Sequence, residues 1–183
     1  MRRVISHLEP DRFVSGTIGQ PGERIFFLQV KSGESLTSVI VEKSQVAILS
    51  ERIDTLLNQI LNENDNDSNI PNKFDIDQLD LEPLESPISE EFRVGVMSLG
   101  WSMPKKKLII EAHADTSDTV PEISSDETEG PDVLRIHITA MQGRIFAERG
   151  RRLVSAGRQV CPFCQEPLGQ QGHVCARANG YKR

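Results

Sequence analysis

Hydrophobic and polar positions alternate in the first third of the chain and then change period. Residues 12–18 and 23–31 are rich in Val, Ile and Phe and are separated by Gly19, Gln20, Pro21 and Gly22. That is turn chemistry between two strands, and it predicts a β-hairpin. Residues 36–42, leaving the turn Ser32-Gly33-Glu34, predict a third strand. Val46, Leu49, Ile53, Leu56 and Ile60 then recur at spacings of three and four, the pattern of an amphipathic helix with one stripe toward a sheet and Ser44 as its N-cap. Gly16, Gly19 and Gly22 do not have the GxGxxG spacing and precede no helix, so they predict a turn and not a phosphate loop.

The second half repeats this order. Residues 92–101 and 107–113 read as a hairpin around Met103 and Pro104, and 133–139 as a third strand before a second helix. A shift of 97 residues aligns 36–57 with 133–154 and places Gln45, Ile48, Glu51, Arg52 and Leu56 on Gln142, Ile145, Glu148, Arg149 and Leu153. The predicted class is α+β: an antiparallel sheet with helices in a domain over residues 1–160, built from two strand-strand-strand-helix units at 12–61 and 92–157. Gly143, Gly150 and Gly157 fall on one line of the second helix, each costing about 1 kcal/mol relative to Ala in a helix interior. Close approach of another backbone would account for them. Between the units, residues 62–90 carry Pro71, Pro83, Pro87 and dense acids and read as a mobile, solvated linker. Asp65, Asp67 and Asn69 begin like a calcium loop, but Ile70 and Ile76 replace its glycine and its bidentate glutamate.

Composition changes this picture chiefly through charge. The net charge of -6 conceals ten acids against one base over residues 63–91 and seven acids with no base over 115–132. From residue 135 onward the sign reverses, with nine Lys and Arg against Glu148 and Glu166. Acidic segments folding over the basic end would neutralise both. The alternative is a basic face for an anionic partner, for which Arg144, Arg149, Arg151, Arg152, Arg158 and Arg177 are the candidates. No apolar run approaches the ~20 residues of a membrane span, and Glu9 and Pro10 interrupt any signal-peptide core, so a cytoplasmic protein is expected.

The sharpest chemistry lies at the end of the chain. Cys161, Cys164, His173 and Cys175 form C-x2-C-x8-H-x-C and include every cysteine present. Three thiolates and one imidazole make a tetrahedral zinc shell, and four protein ligands leave no open position, so a zinc here is structural. The two-residue gap lets one tight turn supply Cys161 and Cys164, with Pro167, Gly169 and Gly172 turning the chain back. A redox dithiol would leave the third cysteine and His173 without a role. Residues 161–183 are thus a zinc-binding tail that gains its order from the metal.

The opening RFVSGTIGQPGERIFFLQ, the segment RIFAERGRRLVSAGR and the ending CPFC followed by GHVCARANG together resemble an uncharacterised, mainly actinobacterial domain-of-unknown-function family over nearly the full length. The resemblance implies a bacterial cytoplasmic protein with a zinc tail and no assigned activity. It also implies a gene context shared with a kinase-like and a histidine-phosphatase-like protein.

Three functions are compatible with these residues. The first is an interaction or adaptor module that docks a protein partner and needs no catalytic group. The second is nucleic-acid binding through the arginine line and the zinc knuckle; the ligand spacing differs from the C-x2-C-x4-H-x4-C knuckle, and the acidic segments would repel a polyanion. The third is an enzyme, in which Glu111, His113 and Asp115 alternate along one strand and His137 lies on its neighbour. Against it, the chain has no nucleophile elbow, Walker loop, HExxH or dinucleotide fingerprint.

Overall fold

The computed structural model describes residues 1–20, 22–63, 70–71, 76–156, 161, 163–164 and 175. Its elements run β1 (Val4–His7), β2 (Arg12–Ile18), β3 (Ile25–Ser32), β4 (Ser35–Val41), α1 (Lys43–Glu63), a 3-10 turn (Ile76–Gln78), β5 (Glu90–Ser102), β6 (Lys107–Ala114), β7 (Val133–Ile138) and α2 (Ala140–Ser155). All seven strands form one sheet in the order β1-β7-β6-β5-β4-β3-β2, so the protein is α+β. β2-β3-β4 and β5-β6-β7 are antiparallel meanders, each followed by a helix. The sheet as a whole is mixed rather than antiparallel, because β4 joins β5 in parallel and β1 lies parallel to β7. Parallel neighbours need a long crossover; α1 and the segment after it supply one, and most of the chain lies between β1 and β7. The four residues of β1 were too few to announce a strand.

The chain order forces the sheet to curl. β1 and β2 are its two outermost strands, yet only residues 8–11 connect them. Five Cα steps reach at most about 18 Å, whereas six interstrand spacings would put the edges of a flat sheet about 29 Å apart. The direction of the curl follows from register. Ile5 and His7 pair with Leu134 and Ile136, which belong to the helix-facing core. His7 Nδ1 lies 2.7 Å from Ser32 Oγ and Nε2 lies 2.9 Å from Thr37 Oγ1, and Thr37 pairs with core Val30. The helix side is therefore concave, and one edge touches the far half of the sheet across it.

The concave face carries Phe13, Leu28, Val30, Val39, Leu108, Ile110, Leu134 and Ile136 against Leu49, Ile53 and Leu57 of α1 and Phe146 of α2. Phe13 and Phe146 stack with ring centroids 4.4 Å apart. Helix α1 begins at Lys43, so Ser44 lies inside its first turn and is not the cap. Gln45 Oε1 accepts from Glu42 N, the residue before the helix, at 2.8 Å, which is one half of a capping box. At positions 97 later, Gln142 accepts from Thr139 N at 2.9 Å and completes a capping box.

The outer face is covered by the two acidic connections. The stretch expected to be a solvated linker is helical up to Glu63, and its later part lies on the sheet. Gln29 clamps Glu85 by donating to its carbonyl at 3.0 Å and accepting from its N–H at 2.8 Å. Leu84 fills the space above Gly16, where a Cβ would stand 2.5 Å from it. Asp65, Asp67 and Asn69 lie outside the described residues.

Helix α2 continues through Gly150, and the reason for its glycines is the side chains of the neighbours it packs against. A Cβ on Gly143 would meet Leu108 at 2.4 Å and Ile53 at 3.2 Å, and one on Gly150 would meet Ser50 Oγ at 2.1 Å. Gly157 lies outside the described residues. Since Ser50 Oγ is the only contact of Gly150 closer than 3.4 Å, Gly150→Ala should destabilise the wild-type fold by about 1–3 kcal/mol. In a Ser50→Ala background it should become neutral or stabilise by up to about 1 kcal/mol through helix propensity. Urea unfolding of the four proteins of this cycle tests it, and an equal cost in both backgrounds would contradict the packing.

Candidate metal centre

Beyond the end of α2 the three cysteines converge. One ligand atom from each of Cys161, Cys164 and Cys175 lies within 4.8 Å of the others, with Cys161 and Cys175 buried and Cys164 half-buried. Phe163 and Cys164 form the turn that the two-residue gap requires. Their geometry prepares one ligand: the backbone N–H groups of Cys164 and Phe163 donate to the Cys161 sulfur, and the Cys164 and Cys175 thiols add side-chain hydrogen bonds. These donors pull the Cys161 thiol down to about 6, against a smaller opposing effect of burial. These hydrogen bonds favour the thiolate of Cys161, the form that binds metal.

The donor set fits a tetrahedral metal. Sulfurs on a zinc at about 2.3 Å are about 3.8 Å apart, so separations of at most 4.8 Å need a contraction of about 1 Å or less. His173, the expected fourth ligand, lies outside the described residues, as do Arg158 and Arg177.

The sheet candidates are placed differently from the expectation. Glu111 and His113 share the outer face of β6 and are fully buried, but Asp115 lies exposed beyond the strand's end at Ala114. At this end Ala114 N donates to Asp132 O and Asp115 N to Arg93 O. Glu111 is held by Arg135 Nε at 2.5 Å and Ser124 N at 3.0 Å, and His113 Nε2 stands 3.4 Å from its other oxygen. His137 is buried on the same face of β7, two residues beyond Arg135. Among the described residues only the three cysteines bring three ligand atoms together, so Glu111, His113 and His137 do not form a metal triad. The Glu111 to Arg135 pair was legible only through strand register, since the two are direct cross-strand partners. Arg2, which ties the covering segment down through Pro131 O at 3.1 Å, gave no sequence signal.

Of the basic surface expected on α2, Arg144 and Arg149 are buried, and Arg151 and Arg152 are exposed but paired with acids of the chain. Arg144 pairs with Asp54 at 2.7 Å and donates to Asn58 at 2.6 Å. Arg151 pairs with Asp54 and Glu148, and Arg152 with Glu148 at 2.7 Å. Arg149 is buried and reaches round the edge of the sheet, donating to Ser15 O at 2.7 Å, Glu82 O at 2.7 Å and the Asp80 backbone carbonyl. Asp80 also receives Arg12 at 2.5 Å, and Lys31 meets Glu85 at 2.6 Å. The Arg12 guanidinium holds the Asp80 carboxyl below its ordinary range, and Arg152 with Arg151 does the same for Glu148. Among the described residues, the intramolecular meeting of acids and bases thus outweighs a free anion-binding line.

Burial lowers the pKa of His7, His113 and His137 below the ordinary 6.5. Each folded-state value is depressed for a base, so below about pH 6.5 the unfolded chain takes up protons that the folded chain refuses. Stability should therefore fall as pH drops from 7 to 5. A urea midpoint that is unchanged or higher at pH 5 would contradict the neutral, buried assignment of these three imidazoles.

No curated protein and no solved structure matches the chain. A family model described as a protein of unknown function, DUF3090, matches residues 6–175 and so spans both the curled sheet and the three cysteines. By that match the chain belongs to the DUF3090 family.

Proposed function

We propose that this chain is a zinc-binding interaction module, in which a curled α+β platform carries a tail closed by a structural zinc on Cys161, Cys164, His173 and Cys175. The observation that carries the reading is the gathering of three cysteine sulfurs within 4.8 Å, one of them held toward its thiolate form by hydrogen bonds. Sulfur ligands favour zinc over hard cations, and a closed shell serves order rather than catalysis. Thiols kept for a metal suit a reducing compartment, which supports a cytoplasmic location, and no helix is long and apolar enough to cross a membrane. A protein partner is favoured over a polyanion because Arg144, Arg149, Arg151 and Arg152 are paired with carboxylates of the chain itself.

Elemental analysis of reduced, untagged protein should give one zinc per chain. Cys164→Ser should lose the metal and the order of the tail while the α+β platform keeps its cooperative unfolding transition, because zinc contributes about 10–16 kcal/mol apparent to such small modules and little to an independent core. No zinc in reduced protein, or loss of the whole transition in the variant, would overturn the reading.

A further inference from the structure

The two halves of the sheet each place a helix against the first strand of the other half, and one of the two junctions is filled by the chain itself. At the α2–β2 junction, Gln142 donates through Nε2 to Pro10 O at 3.0 Å just before β2. Arg149, two turns further along α2, holds the extended acidic segment at Asp80 and Glu82. At the α1–β5 junction, Gln45 donates through Nε2 to Val94 O at 3.1 Å and Gly95 O at 3.0 Å. Arg52 stands at the position of α1 that is 97 residues before Arg149. Here a groove of about 310 Å³ lies open between the helix and the strand, lined by Ile48, Arg52, Val96, Met97 and Leu99 among others.

The groove has three features of a binding surface. Beyond Gly95, whose carbonyl like that of Val94 accepts from Gln45, β5 pairs with β6 on one side and with no described strand on the other, because its pairing with β4 ends at Ile40 and Arg93. That leaves a free strand edge able to pair with an extended chain. Ile48 and Val96, which both line the groove, are 54% and 50% exposed, large values for aliphatic side chains. Arg52 is exposed and forms no ion pair with any described residue, whereas its counterpart Arg149 pairs with Asp80.

We propose that the α1–β5 groove docks an extended acidic segment of a partner protein, with a carboxylate on Arg52 and apolar side chains against Ile48, Met97 and Leu99, as the chain's own Asp80–Glu82 stretch is held at the opposite junction. This assigns a partner chemistry to the interaction module proposed above. It does not require the zinc, so the two readings fail separately.

The probe is a fluorescein-labelled peptide of sequence QLDLEPLES, that of residues 78–86, titrated into the full-length protein and followed by anisotropy. Arg52→Glu and Ile48→Asp alter exposed side chains, and circular dichroism should show both folded. Saturable binding is expected, weakened at least tenfold by either substitution, weakened by salt, abolished when lysines replace the peptide's acids, and retained by the metal-free Cys164→Ser protein. Binding unaffected by both groove substitutions, or absent from folded wild-type protein, would overturn the proposal. So would a sedimenting dimer that Arg52→Glu dissociates, since the occupant would then be a second copy of the chain.

Discussion

Residues 8–11 impose the constraint on which the rest of the structure depends: four residues join the two strands that lie furthest apart in the sheet order. A flat seven-stranded sheet cannot satisfy so short a link, and the resulting curl makes the helix side concave. The two helices then share one enclosed core, and their approach is close enough that α2 needs Gly143 and Gly150 where it faces Leu108 and Ser50. His7 is the visible contact of that closure, with both ring nitrogens bonded to hydroxyls from the opposite half of the sheet.

Curling leaves an outer face and edges that must also be satisfied, and the acidic connections do this. One lies over β2 and β3 through Leu84, Gln29 and Lys31; the other closes over Glu111, Arg135 and Arg2. Exposed ion pairs alone contribute roughly 0–1 kcal/mol each. Arg149 does more, because its buried guanidinium satisfies carbonyls of an edge strand and of the segment beside it at the same time, and an unpartnered buried polar group costs about 1–3 kcal/mol. The charge asymmetry along the chain is thus largely resolved within the fold in the described residues.

What could be read from the sequence was local. Hairpins and helices follow from alternation and from spacings of three and four, and six of the seven strands fall where that pattern puts them. Their partners do not follow from it: the parallel joins of β4 to β5 and of β1 to β7 depend on contacts far apart in sequence, and β1 has too few residues to show a period. Glu111 and His113 share one face as their alternation implies, whereas Asp115 lies exposed beyond the end of the strand at Ala114. The cysteine cluster was legible because its ligands are close neighbours in sequence and their spacing carries the geometry directly. That the acidic stretch lies against the sheet is not visible in composition, which reveals its charges and not the arginines, Arg12 and Arg149, that pair with Asp80.

The metal proposed on the three gathered cysteines is the part of the function that spectroscopy reaches first. X-ray absorption fine structure at the zinc edge of metal-loaded, full-length protein tests that ligation most directly. It should show three sulfurs at about 2.3 Å and one nitrogen at about 2.0 Å; a shell with fewer than three sulfurs, or one dominated by oxygen, would contradict the site formed by Cys161, Cys164, His173 and Cys175.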